Sequence, residues 1–328
     1  MSGCASVAST HKYHNLVSCC TAIVLGVLLQ ASLLAAGTDV GFASLKIGIG
    51  SREWGMGSAG TADATGPQSM YWNPALNGWN GHFIGGPASA DAPDPRFQAS
   101  ASYSAWLVGT GKSSVFVTRP TAPFVLGLGI TSFSSGQLEN RPDKPTDDPL
   151  GYYEPLDYSA YLNFSRALAS FVSVGISGRF YYQKVYDLSA SGVGLDVGVA
   201  FHPLKHLSAG LSVNDVGATM RFGYGDVQLP TRGLAGVSYS LPVGRSLLTA
   251  AGDFGLGFAE QSPILNLGAE FLMAPGLALR AGYRILGPTR GLTAGLGVKV
   301  KGLSLEYSLA MHDNDLGVTH QFALGFGY

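Results

Sequence analysis

The chain has 328 residues, of which 46% are hydrophobic and only 12% are charged. A soluble domain normally carries about twice that share of charge, so much of this surface faces something other than water. The 20 lysines and arginines balance 21 aspartates and glutamates without forming a basic block, which argues against a nucleic-acid partner.

The N-terminal region predicts export from the cytoplasm. Residues 1–15 carry one lysine and no acidic residue, and an apolar run ending in small residues spans 21–36. This run is shorter than the about 20 apolar residues that a membrane-spanning helix needs, so we predict a cleaved signal peptide over residues 1–36. The cysteines all fall within it, which leaves the mature chain without disulfides or thiol nucleophiles: Cys4, Cys19 and Cys20.

Residues 37–97 form a glycine-rich region without strand-like alternation. Glycines interrupt this region so often that only short helices or strands can form between them. The composition suits packing inside another structure better than crossing a lipid bilayer. We therefore predict a hatch and lead-in over residues 37–97.

The remainder of the chain, residues 98–328, alternates with a period of two. Between Leu303 and His312, apolar side chains alternate with small or polar ones over about ten residues, the length of a tilted membrane-spanning strand. The polar face is rich in Gly, Ser, Ala and Thr instead of Lys and Glu, which is typical of a barrel lumen. No second apolar run is long enough for a helix, so a membrane protein of this sequence must be a closed barrel.

Counting these alternating runs predicts an all-β fold, a 14-stranded antiparallel transmembrane β-barrel with an N-terminal hatch inside the lumen. The runs lie near 98–108, 112–120, 123–135, 155–167, 170–186, 190–201, 206–215, 231–241, 244–258, 262–273, 276–287, 290–300, 302–312 and 316–328. An even strand number places both barrel termini on one side, and the longest connections, 136–154 and 216–230, then fall together on the opposite side. This arrangement predicts a location in the outer membrane of a Gram-negative cell.

Several boxes in the chain resemble the PorV/PorQ family, which belongs to the wider FadL-like group of barrels. They are Ser51-Arg52-Glu53-Trp54-Gly55-Met56-Gly57, Met70-Tyr71-Trp72-Asn73-Pro74-Ala75, Asn214-Asp215-Val216-Gly217 and Leu229-Pro230-Thr231-Arg232-Gly233-Leu234. The resemblance implies a 14-stranded outer-membrane barrel with a hatch that contains the Asn-Pro-Ala box. Two departures stand out: the usual acidic pair before the Tyr-Trp-Asn-Pro segment is missing, and Gly217 comes one position late.

Two sets of residues are candidates for the functional site. The hatch motif, with a structural or gating role, comprises Arg52, Glu53, Gly55, Gly57, Gly60, Trp72, Asn73 and Pro74. The alternation directs a second set of charges into the lumen: Arg179, Asp196, Arg232, Asp253, Glu270, Arg280, Arg284 and Glu306. Buried charges must be paired whatever the function, so these residues suit plug packing as well as ligand contact.

The sequence offers no catalytic constellation, metal site or cofactor motif. A hydrolase needs a histidine within reach of a nucleophile and an orienting acid, and no such arrangement is evident. The sequence His312-Asp313-Asn314-Asp315 fits an external turn better than a calcium loop. We expect a protein that is not an enzyme.

Two functions fit these observations. The family resemblance implies a part in type IX protein secretion or in surface attachment of secreted proteins, with secretion subunits and exported cargo as partners. The alternative is a FadL-like transporter of long-chain fatty acids or other hydrophobic small molecules. In both cases the outer face contacts outer-membrane lipid.

Overall fold

The computed structural model of the protein describes residues 39–79, 97–142, 144, 147–223, 225–273, 276–287, 289–313 and 316–328. The predicted signal peptide, residues 1–36, lies outside the described residues. So does most of the lead-in that would join the predicted hatch to the first barrel strand.

Fourteen antiparallel strands close into a barrel, which confirms the predicted fold class. They are β2 (Gln98–Ala105), β3 (Gly111–Thr121), β4 (Phe124–Ser134), β7 (Leu156–Ala169), β8 (Val172–Val185), β9 (Leu188–Leu204), β10 (Leu207–Gly217), β13 (Arg232–Val243), β14 (Ser246–Gly257), β15 (Ser262–Met273), β16 (Leu277–Leu286), β17 (Gly291–Val300), β18 (Leu303–His312) and β19 (Val318–Gly327). Each pairs with its neighbours in chain order, and β19 pairs with β2 to close the ring.

Five short strands and two short helices complete the structure. The strands are β1 (Asp39–Val40), β5 (Leu138–Asn140), β6 (Gly151–Tyr153), β11 (Met220–Phe222) and β12 (Gly225–Gln228); the helices are α1 (Ser51–Gly55) and α2 (Ser69–Trp72). Single 3-10 turns occupy Ala43–Lys46, Leu76–Trp79 and Leu107–Gly109. No helix within the described ranges is long and apolar enough to cross a membrane.

Alternation along each barrel strand sets which side chains face outward. In β7, for example, the side chains of Ser159, Tyr161 and Asn163 are buried, whereas Leu162 and Phe164 are exposed. The same pattern on the other strands gives an outer surface of Leu, Val, Phe and Tyr side chains. An apolar outer face over a lumen of small and polar side chains is the arrangement that a lipid bilayer requires.

The two ends of the barrel differ in the length of their connections. At one end, here called the turn end, strands are joined by two or three residues, as at 122–123 and 301–302. At the opposite loop end, the connections 135–155 and 218–231 are the longest and contain β5, β6, β11 and β12. Membrane barrels of single-chain type keep short turns on the periplasmic side.

Residues 41–79, here called the N-terminal segment, are largely buried and extend from the loop end to the turn end. Just before this segment, β1 pairs in parallel with β12 at the loop end. At its other limit, the Trp79 ring lies 3.9 Å from the ring of His202, near the turn end of β9. The segment therefore follows the barrel along most of its length.

Glycines on the inner face of the wall allow this segment to approach the wall closely. A Cβ added at any of them would collide with or press on atoms of the N-terminal segment: Gly127, Gly175, Gly198, Gly210, Gly236, Gly268, Gly282 and Gly295. These positions come from eight of the fourteen barrel strands: β4, β8, β9, β10, β13, β15, β16 and β17. Because glycine has no side chain, the segment and the wall can approach at backbone distance.

Candidate functional site

A ladder of buried charges joins α1 to one side of the wall. Arg52 Nη2 lies 3.0 Å from Glu270 Oε1, and Arg280 Nε lies 2.6 Å from the other oxygen of Glu270. Arg280 continues to Glu306, with 3.3 Å between Nη2 and Oε1. Arg52 also contacts Asp63 within the N-terminal segment at 3.3 Å. The ladder thereby connects α1 with β15, β16 and β18 through charges of alternating sign. Each buried ion in it has a partner of opposite charge, which offsets the cost of removing the ion from water.

Glu53, the neighbour of Arg52 in α1, is fully buried. Its Oε1 accepts a hydrogen bond from the Thr65 backbone N–H at 3.0 Å and lies 3.7 Å from Arg52 Nη1. Burial raises the pKa of this carboxyl to about 7. Glu53 belongs to the N-terminal segment and not to the spanning strands.

A second buried cluster surrounds Arg179 on β8. The guanidinium contacts Asp196, with 2.6 Å between Nε and Oδ2, and also Asp215. Tyr181 donates its hydroxyl to Asp215 Oδ1 at 3.0 Å, and Arg232 Nε approaches Asp215 Oδ2 at 3.9 Å. This cluster therefore ties β8, β9, β10 and β13 together inside the lumen.

The remaining hatch residues are held by backbone hydrogen bonds. Asp253 on β14 accepts the N–H groups of Gly60 and Thr61, both at 2.9 Å. Asn73 donates to Thr61 O at 2.9 Å and to Val199 O at 3.2 Å. Its Oδ1 accepts the Ala75 N–H at 3.0 Å, which forms a turn around the intervening proline.

Pro74 and Trp72 are also held by hydrogen bonds. The Pro74 carbonyl accepts a hydrogen bond from Asn163 at 3.1 Å, and the Trp72 indole N–H donates to Ile49 O at 3.1 Å. Gly55 packs on Gly295, where an added Cβ would lie 3.1 Å from Cα of the wall residue. These contacts show where the hatch motif lies, while its gating role stays a prediction.

Arg284 differs from the other lumen arginines because the described residues place no carboxylate in an ion pair with it. Its guanidinium lies 4.5 Å from the centre of the Trp54 ring. Nη1 donates to Thr289 Oγ1 at 3.2 Å, and Nη2 lies 3.5 Å from His312 Nδ1. His312, expected in an external turn, is the last residue of β18 and its side chain is buried.

Sequence reasoning missed several buried charges. Lys112 donates to the carbonyls of Ser44 at 2.8 Å and Ile47 at 2.5 Å. It was missed because it opens a strand whose first residues, Gly111 to Ser114, contain no apolar side chain from which to set the phase. Asp215 was named within a sequence box but not as a lumen charge, because it lies at an irregularity in the β10 ladder with a φ of 61°.

A loop-end cavity lies between α1 and the connections of that end. It holds about 80 Å³ and its lining includes Trp54, Trp72, Leu234, Ile264, Arg232 and Arg284. Two indoles and two aliphatic side chains with a few polar groups are the usual composition of a small-molecule site.

A second concavity of about 700 Å³ lies against strands β17, β18, β19, β2 and β3. Most of the side chains that line it are exposed apolar residues of the outer face, such as Leu296, Leu305 and Phe322, so it belongs to the outer surface of the barrel. Among the described residues, no group of three or more His, Cys, Asp or Glu is placed to hold a metal ion.

Several solved structures have a similar architecture. The Pseudomonas putida toluene transporter TodX superposes with a TM-score of 0.63 at 12% identity, covering 86% of this chain and 99% of its own. The Ralstonia pickettii toluene transporter TbuX gives 0.62 at 12% identity, with 86% and 98% covered. A Pseudomonas aeruginosa FadL homologue gives 0.53 at 12% identity, with 90% and 99% covered.

These likenesses show that the fold is that of FadL-type barrels. No family model and no curated protein sequence matches the chain. Because one of these structures is a FadL homologue, the likenesses support the FadL-like part of the sequence resemblance at the level of the fold. The narrower PorV/PorQ assignment stays a prediction.

Proposed function

We propose that the chain is an outer-membrane transporter of hydrophobic small molecules, and that it is not an enzyme. The observation that carries this proposal is the loop-end cavity, lined by Trp54 and Trp72, inside a barrel whose fold matches two toluene transporters. These neighbours favour the transport alternative over type IX secretion, which remains a prediction from the sequence boxes.

We further propose that residues 37–97 act as the hatch of this transporter. All fourteen neighbouring strand pairs of the ring are hydrogen-bonded, so the described wall is closed. A compound that moves from the loop-end cavity through the lumen toward the turn end would therefore have to pass the N-terminal segment, and α1 borders that cavity through Trp54. The charge ladder from Arg52 to Glu270 would hold this helix in the closed position, and transport would need α1 to move away from β18.

A removable disulfide tests this route. Ser51 in α1 and Ser308 in β18 place their hydroxyl oxygens 3.0 Å apart, so Ser51→Cys with Ser308→Cys brings two thiols together with little change in volume. The native cysteines all fall in the first 20 residues, within the predicted signal peptide. We expect the oxidised variant to lower uptake of radiolabelled toluene into expressing cells at least tenfold, and a reductant to restore it.

The matched control is a disulfide within the wall. Ser240 and Thr249 face the lumen on β13 and β14 with their hydroxyl oxygens 2.9 Å apart, away from α1. Ser240→Cys with Thr249→Cys should leave uptake unchanged in both redox states. Full uptake by the oxidised Ser51–Ser308 variant would show that α1 need not move, and absence of uptake by the unmodified protein would refute transport itself.

A further inference from the structure

The loop-end cavity has buried donors without partners. Trp54 Nε1, Arg284 Nε and Arg232 Nη2 have no hydrogen-bond partner within the described structure, and the three side chains are 1%, 5% and 8% exposed. All three residues line the cavity, and no side-chain acceptor of its lining is similarly unsatisfied among the described residues. Buried polar groups are normally hydrogen-bonded, so the cavity is complementary to a ligand that carries acceptor oxygens.

The charge of the cavity is also incompletely balanced. Lys46 pairs with Glu260 at 2.6 Å, but the described residues place no carboxylate in an ion pair with Arg284. Arg232 is 3.9 Å from Asp215, a carboxylate already bound by Arg179. A buried guanidinium without a close anion favours a ligand that brings a negative charge, and a carboxylate matches its planar donor geometry.

The rest of the lining fits a flat apolar body. Trp54 and Trp72 both lie close to Gly48, where an added Cβ would be 2.8 Å from the Trp72 ring and 3.1 Å from the Trp54 ring, so the two indoles line the same part of the cavity. Leu234 and Ile264 supply aliphatic surface. The lining thus offers indole and aliphatic surface to one part of a ligand and guanidinium groups to another.

We propose that the loop-end cavity binds an aromatic carboxylate in preference to a bare hydrocarbon or an aliphatic acid. The ring packs against the indoles of Trp54 and Trp72, and the carboxylate accepts hydrogen bonds from Arg284 and Arg232. This proposal rests on the transport function above and names the class of compound that is carried.

The test measures binding to the purified mature chain in lipid nanodiscs by titration calorimetry. The probes are benzoate, its uncharged ester methyl benzoate, toluene and dodecanoate. We expect benzoate to bind at least tenfold more tightly than each of the other three. Because these comparisons use the unmodified protein, they do not depend on whether a variant folds.

Variants then assign the charge recognition to one residue. Arg284→Gln should weaken benzoate binding at least tenfold and change toluene binding less than twofold, while Arg245→Gln at the exposed turn end should change neither. Equal affinity for benzoate and methyl benzoate, or tightest binding of dodecanoate, would overturn the aromatic-carboxylate proposal and leave transport standing. No binding of any probe would overturn both.

Discussion

Glu270 is the residue on which the buried ladder depends most. Its two oxygens contact Arg52 from the N-terminal segment and Arg280 from the wall, and the side chain is only 6% exposed. Two guanidiniums thereby share one carboxylate, with Asp63 and Glu306 at the ends of the ladder. Removing the central charge leaves two buried cations facing each other.

We predict that Glu270→Gln lowers the free energy of unfolding by about 3–5 kcal/mol, the usual cost of breaking a buried ion pair by removing one partner. The measurement is urea unfolding in lipid vesicles, followed by tryptophan fluorescence. Glu260→Gln is the control, because the pair of Glu260 with Lys46 is partly exposed and should contribute about 1 kcal/mol at most. Equal effects of the two substitutions would contradict this account of the ladder.

For single residues, the sequence predicted which charged side chains point into the lumen but not which of them form ion pairs. Alternation placed Glu270, Arg280 and Glu306 on the inner face, and all three side chains are found in the lumen ladder. Which charge meets which depends on the register between strands and on where the N-terminal segment crosses them. Neither follows from a period of two. Shifting one strand by two residues against its neighbour keeps every side chain on the same face but changes which residues lie opposite each other.

Among the elements, α1 is held against the wall by close backbone packing as well as by charge. Gly57, which follows this helix, has a φ of +68°, and its N–H donates to Thr293 Oγ1 at 2.9 Å. A Cβ at this position would overlap the Leu267 carbonyl oxygen and lie 2.9 Å from the Tyr283 nitrogen. Both the backbone conformation and the available space therefore require glycine.

We predict that Gly57→Ala displaces the N-terminal segment without opening the barrel. Limited proteolysis should then cut within residues 41–79, while the strands stay protected and the folded protein still migrates as a compact band in cold gel electrophoresis. The control is Gly178→Ala on the outer face of β8, where an added Cβ meets nothing within 4 Å. Protection of the segment in the Gly57→Ala variant would show that the wall can adjust.

Element prediction succeeded where the pattern was long and failed where it was short. The fourteen alternating runs correspond to the fourteen barrel strands, and the fold class is confirmed. The strands β5, β6, β11 and β12 were not predicted, because each spans only three or four residues inside a polar loop. Such a run is too short to show a period.

For the whole molecule, the unequal connections make a prediction about orientation. If the turn end faces the periplasm, Lys144→Cys in the long 135–155 loop should react with a membrane-impermeant maleimide in intact cells. Lys205→Cys, in an exposed turn, should react only after the outer membrane is permeabilised. Labelling of Lys205→Cys in intact cells with protection of Lys144→Cys would show the reverse orientation.

Function was harder to predict than fold, because the residues in the boxes that resemble the PorV/PorQ family mainly pack the N-terminal segment against the wall. Asn73 and Gly57 both lie in such boxes, yet their contacts are hydrogen bonds and close packing within the segment and against the wall. The cavity lining that supports transport combines side chains from distant strands, such as Leu234 and Arg284, which no local motif contains.

The N-terminal segment also sets the order in which this protein can assemble. Its ion pair from Arg52 to Glu270 joins residues 218 positions apart, and the hydrogen bond from Ser51 to Ser308 joins residues 257 apart. These contacts cannot form until the strands near the C-terminus have been synthesised, although the N-terminal segment is synthesised first. Closing such distant contacts is slow, so the segment needs protection from aggregation until the last seam, between β19 and β2, is formed around it.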